Sequence, residues 1–188
     1  MLTQTALLTA LAACFGATLG GATFDYRVLA TNKTSTMEKE MNAAAGAGYV
    51  FSAVMGGETS FGGNEVVVVM VKSAEDVVPG ERRYRLLATS RTSTMQKEMQ
   101  QLGDEGFEYK GQTVFESTFG GKEVAVIMER GPAGAGKPIS YKLLATSRTS
   151  TMQKELTEAG GAGFRLLGMT VAKTAMGGSE LVCILRRD

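Results

Sequence analysis

Three short stretches hold the residues best suited to chemistry: Thr31-Asn32-Lys33-Thr34-Ser35, Thr89-Ser90-Arg91-Thr92-Ser93 and Thr146-Ser147-Arg148-Thr149-Ser150. Each sets one cation among hydroxyls immediately before a run with helical spacing. Free backbone N–H groups at a helix start, together with a cation and hydroxyls, are the groups that hold a phosphate, sulfate or carboxylate. Lys33, Ser35, Arg91, Ser93, Arg148 and Ser150 therefore form three equivalent candidate anion sites. A competing explanation needs no ligand. Capping accounts for the hydroxyls by itself, and the identity of Leu86 to Glu98 with Leu143 to Glu155 records duplication.

Other chemistries find little to work with. The chain has no histidine, which removes the usual general base near neutral pH, the Ser-His and Cys-His pairs and imidazole metal sites. With only Cys14 and Cys183, neither a disulfide framework nor a Cys-rich zinc site can be assembled, so neither a metal nor another cofactor is expected. Cys183 lies mid-strand among Leu181, Val182, Ile184 and Leu185 and reads as a buried, inert thiol. Lys39, Lys97 and Lys154 recur on the polar face of the helices, where solvated charge is the ordinary reading. Glu65, Glu123 and Glu180 fall one per unit at strand starts, with nothing that pairs them for glycoside chemistry. Twenty basic against nineteen acidic side chains leave a net charge of +1, so nucleic acid is not an expected partner.

These stretches sit in three near-copies of one unit, starting at Tyr26, Tyr84 and Tyr141, a period of roughly 57 residues. Tyr84-Arg85-Leu86-Leu87-Ala88-Thr89 reads as a strand with one buried face. Ser93 with Gln96 has capping-box spacing, repeated by Ser35 with Glu38 and Ser150 with Gln153. Met95, Met99 and Leu102 then recur at helical spacing, as do Met37 with Met41 and the single Met152 of the third copy; such a stripe is core before it is a copper site or binding groove. Gly48, Gly106 and Gly163, each followed by an aromatic, suit the left-handed position that ends a helix.

The second strand, Phe107 to Thr113, alternates aromatic with polar residues and suggests an edge strand with one wet face. The third, exemplified by Val66 to Val71, Val124 to Met128 and Leu181 to Leu185, is apolar without alternation and calls for cover on both faces. Its own helix covers one. Sheet-on-sheet contact with a sister unit would cover the other. Gly62-Gly63, Gly120-Gly121 and Gly177-Gly178 read as hairpin turns, not phosphate loops, since no Gly-Lys-Ser/Thr pattern follows. A crossover followed by a hairpin places strand three centrally, giving sheet order 2-3-1. The predicted fold is α+β: three tandem βαββ repeats, each a three-stranded sheet with one helix, packed through shared sheet faces. The repeats span 23–73, 82–131 and 139–188, joined by short Pro-bearing linkers.

Residues 1–22 read as an export segment. Ala6 to Leu19 is apolar and uncharged yet too short to span a membrane. Two processing readings stand side by side: Leu11-Ala12-Ala13-Cys14 looks like a lipobox that would lipidate Cys14, and Gly20-Gly21-Ala22 offers a signal-peptidase site. The missing positive charge in Met1 to Thr5 leaves a third, a short buried helix.

In the order strand, helix, Gly-aromatic and two strands, each copy resembles a small bacterial βαββ domain of unknown function whose helix ends in Glu-Gly-Trp. Glu105-Gly106-Phe107 is the nearest match; Phe or Tyr stands where that family has Trp, and Ala47 and Ala162 replace the Glu. The resemblance implies a fold and no activity. The expectation is an exported, periplasmic or extracellular protein, with or without a lipid anchor. It is a non-catalytic binding or structural envelope protein that binds a protein or small ligand, or associates with itself. A small-anion sensor using the helix starts is the alternative from another class, and an enzyme working through Lys or carboxylates is a third.

Overall fold

The computed structural model describes residues 23–59, 63–73, 82–116, 122–131, 137–173 and 178–188. Repeat 1 comprises β1 (Phe24–Thr31), α1 (Thr34–Gly46), β2 (Val50–Thr59) and β3 (Gly63–Ser73). Repeat 2 follows with β4 (Arg83–Thr89), α2 (Thr92–Asp104), β5 (Glu108–Glu116) and β6 (Lys122–Arg130). Repeat 3 has β7 (Ser140–Thr146), α3 (Thr149–Gly161), β8 (Arg165–Lys173) and β9 (Ser179–Arg187). The three antiparallel sheets run β1-β3-β2, β4-β6-β5 and β7-β9-β8, so the apolar third strand is central in each, as the sequence predicts. Gly62, Gly120, Gly121 and Gly177 and most of both linkers lie outside the described residues, whereas Gly63, with φ +70, opens β3. The pairing of Thr59 with Gly63, Glu116 with Lys122 and Lys173 with Ser179 nevertheless closes three hairpins.

Each helix ends as its glycine requires. Gly106 has φ +80; its N–H donates to Gly103 O, and that of Phe107 donates to Leu102 O, the paired bonds of a Schellman motif. The same pair forms around Gly48 and Gly163. A cation then closes over each aromatic that follows. Arg27 stands 4.4 Å above the Tyr49 ring, Arg130 5.0 Å above Phe107 and Arg187 4.6 Å above Phe164. Lys72 and Arg187 also donate to the carbonyls of Ala47 and Ala162 at the helix ends, where the negative pole of the helix favours a cation.

The repeats form a stack in which α1 and α2 each work on two sheets, their own and that of the next repeat. Met37, Met41, Val66, Val68 and Met70 of repeat 1 share one core with Tyr84, Leu86, Ala125 and Ile127 of repeat 2. Met95, Met99, Val126 and Met128 of repeat 2 share the next with Tyr141, Val182 and Ile184 of repeat 3. The methionine stripes are thus core, and Cys183 is a buried free thiol. Sheets meet directly where β2 runs against β5 and β5 against β8; a Cβ on Gly56 would fall 2.1 Å from the Val114 carbonyl oxygen. The rest of each shared sheet face is closed by the preceding repeat's helix, a cover additional to the expected sheet-on-sheet contact.

One expectation fails at β3. Both faces of β6 and β9 are covered, but Val67, Val69 and Val71 of β3 are only partly buried on the outer face of the first sheet. No described element precedes that sheet to supply a helix. Among the described residues, no helix is long and apolar enough to cross a membrane.

Equivalent helix positions make a sharp test of the stack. A Cβ on Gly103 would meet Ile139 O at 2.4 Å and the Tyr141 ring at 2.8 Å, whereas one on Gly160 meets nothing within 4 Å. Gly160→Ala should stabilise the fold by about 0.5–1 kcal/mol through helix propensity, and Gly103→Ala should destabilise it by about 1–3 kcal/mol through overpacking. Urea unfolding of both variants measures the difference; equal shifts would contradict the packing of β7 on α2.

Candidate functional site

The helix starts differ from the capping-box expectation. Lys33, Arg91 and Arg148 are themselves the N-cap residues, and none makes a side-chain cap bond. Ser35, Ser93 and Ser150 lie inside the first turn and are exposed. The hydroxyls that act belong to Thr31, Thr89 and Thr146, each accepting from the backbone N–H of the cation two residues on, at 3.1, 3.0 and 3.3 Å. Arg91 lines a narrow cleft with Thr89, Ser90, Lys122 and Glu180, drawn from repeats 2 and 3. It has room for about one water molecule. Lys33 and Arg148 do not line it, so the structure does not gather the three cations into one site. Cys14 lies outside the described residues. Among those described, no three His, Cys, Asp or Glu side chains converge as metal ligands, and Lys39, Lys97 and Lys154 are exposed on the helices.

Two of the three partners expected to complete the capping boxes, Glu38 and Gln96, reach forward into the next repeat instead. Glu38 accepts from Leu86 N at 3.0 Å; Asn42 accepts from Tyr84 N and donates to Tyr84 O, both at 3.0 Å. One seam later Gln96 accepts from Leu143 N at 2.6 Å and donates to Tyr141 O at 2.9 Å. Gln100 accepts from Tyr141 N at 2.9 Å and donates to Ile139 O at 3.2 Å. The free edges of β4 and β7 would otherwise show unpaired amides; side chains of the preceding helix occupy them.

The unit's first tyrosine completes each seam. Phe51 N donates to Tyr84 Oη at 2.8 Å, and Tyr109 N donates to Tyr141 Oη at 2.8 Å. Both amides sit at register shifts, between Phe51 and Ala53 and between Tyr109 and Gly111, where a strand bulge leaves a backbone donor unpaired. Tyr84 Oη in turn donates to Glu129 at 2.6 Å. That carboxylate is buried and paired with Arg82 at 2.9 Å and Lys110 at 3.4 Å. Spacing could not reveal Glu129: Val71 and Arg186 occupy its place in the other copies. Burial, then the Glu129 carboxylate, raises the Tyr84 phenol; burial pushes Tyr109 and Tyr141 up to about 12.

Among the described residues, nothing fills this same surface on the outermost faces of the stack. Phe24, Tyr26, Val28 and Met55 are exposed on the first sheet; Leu166, Met169 and Val171 are exposed on the last. Those seven are all the large exposed hydrophobics among the described residues. Tyr26 is 60% exposed, whereas Tyr84 and Tyr141 are 1% and 4% exposed. On α3, Gln153 donates to Thr157 Oγ1 at 3.3 Å and makes no bond to a following strand.

Two measurements check the seam. Tyr84→Phe strands the Phe51 amide and one Glu129 oxygen, so it should cost about 1–3 kcal/mol, while Tyr26→Phe in dilute protein should fall within about 0.5 kcal/mol of the parent. Equal costs would refute the seam role. A phenol held above the unfolded value of about 10 keeps its proton in the folded state, so the contribution is complete below pH 10 and lost as pH climbs toward 12. Phenolate absorbance from Tyr84, Tyr109 and Tyr141 should accordingly rise together with loss of circular dichroism; free ionisation in a folded chain would contradict their burial. Set against protein-family models, curated proteins and solved structures, the chain matches none, so its likeness to the βαββ domain rests on element order and the Gly-aromatic motif.

Proposed function

We propose that this is a non-catalytic interaction protein that works through the two ends of its stack. The observation that carries the reading is the segregation of every large exposed hydrophobic among the described residues onto those two end faces. Scattered apolar side chains are ordinary on any surface, but contiguous patches mark sites of contact with another macromolecule. On the first sheet Phe24, Tyr26 and Val28 alternate along one face of β1, and Val67, Val69 and Val71 of β3 continue that face. The cations at the helix starts are left with an auxiliary role. Arg91 and Lys122 beside Thr89 support the small-anion reading at one seam alone.

Export belongs to the same proposal. It rests on the apolar, uncharged stretch within residues 1–22 and on the lipobox-like run ending at Cys14. Mass spectrometry of the protein from its native host decides it: a lipid-modified Cys14 or a start near Thr23 supports export, and an intact Met1 terminus overturns it. For the end faces, a photo-crosslinking residue at Met55 or Met169 in the host cell should capture macromolecular adducts well above the level from Lys97 on the outer face of α2. Adduct levels equal to that control would defeat the reading.

A further inference from the structure

We infer that the occupant of each end face is a second copy of this chain, bound head to tail through the seam that already joins its repeats. The inference rests on reading the end faces as contact surfaces, and it adds the partner and the geometry. Among the described residues, each half of the internal seam recurs unfilled at the opposite end of the stack.

On the head side, Tyr26, Val28 and Ala53 are the repeat-1 equivalents of Tyr84, Leu86 and Gly111, and of Tyr141, Leu143 and Gly168. On the tail side, Gln153, Gly160 and Leu166 are the equivalents of Glu38, Ala45 and Phe51, and of Gln96, Gly103 and Tyr109. Three matches connect the two sets. The Tyr141 ring seats against Gly103, while Gly160, the same helix position, faces open space; Tyr26 is a ring with no seat. The free edge of β4 is held by Glu38 and that of β7 by Gln96. In α3 the equivalent Gln153 is exposed, and Tyr26 and Val28 lie on the uncovered edge of the first sheet. Thr157, shorter than Asn42 or Gln100, leaves Gln153 as the principal amide of the new seam.

The third match is one of volume. Gly111 makes room for Phe51 and Val54, whose side chains would stand 3.2 and 3.0 Å from a Cβ there. Gly168 makes room for Tyr109, whose hydroxyl would stand 2.1 Å from one. At the head the glycine is replaced by Ala53, and the residue it would receive is Leu166, smaller than either aromatic. The larger seat wall meets the smaller knob.

A head-to-tail contact joins two different patches, so it does not close at a dimer; it continues into a ring or an open filament. The test uses the purified chain with two surface variants, Val28→Glu at the head and Met169→Glu at the tail, both at positions more than half exposed. Sedimentation of the parent chain should show a mass that rises with concentration from 19.9 kDa past that of a dimer. Each variant alone should stay monomeric with unchanged circular dichroism and unfolding midpoint. An equimolar mixture should form a 1:1 dimer and stop there, because one good head and one good tail remain.

A parent chain that stays monomeric at all concentrations overturns the inference, as would coverage of the head by residues 1–22. So does a variant that still dimerises by itself, which would mean head-to-head or tail-to-tail contact. If the chain is monomeric in vitro while Met55 and Met169 still capture other proteins in the cell, the interaction reading stands and the second copy as partner falls.

Discussion

The docking of one repeat's first strand onto the preceding repeat's helix is the contact on which the rest of this structure depends. A single βαββ unit of under 60 residues buries too little surface to be more than marginal alone. Here the shortfall is met by sharing: the helix of one repeat closes its own sheet with methionines and the next repeat's sheet with its flank, so two cores hold most of the buried apolar residues. The third core, under α3, is smaller and has only one sheet to cover. Stability should therefore behave as a sum of repeat and seam terms, as in other stacked arrays.

Polar groups set the register of this contact. Apolar surface alone would let a strand slide along a helix, but backbone donors and acceptors at fixed spacing admit one alignment with Glu38 and Asn42, or with Gln96 and Gln100. The tyrosine hydroxyl adds a second point of registration by reaching a bulge amide in the preceding repeat's second strand. The charged group beneath Tyr84 differs from seam to seam. Glu129 anchors the first, whereas at the second Arg186 approaches Glu108 at 3.6 Å. Each seam thus has a private electrostatic lock on a common frame, which favours neighbours meeting in chain order.

Much of this was legible in the residues. Periodicity and glycine placement led to the elements, the central third strand and the helix ends, because those features are local: a methionine every four residues, or a glycine before an aromatic, carries its structural meaning within a few positions. The roles of Ser93 and Gln96 were not legible. Their spacing fits a capping box, and only the arrival of β7 beside α2 makes a better use of the Gln amide. The outer face of β3 is a similar case. Its valines resemble those of β6 in composition, and what separates them is the presence of a preceding helix, a fact of the stack and not of the strand. Glu129 was invisible since it occurs in one copy of three.

Exchange of backbone amides at the first strands tests the seam most directly. In dilute protein the Tyr84 and Leu86 amides, held by Asn42 and Glu38, should be protected by orders of magnitude over those of Tyr26 and Val28, their equivalents on β1. Equal protection at β1 and β4 in the monomer would mean that strand edges are secured by their own sheets, and would contradict the account.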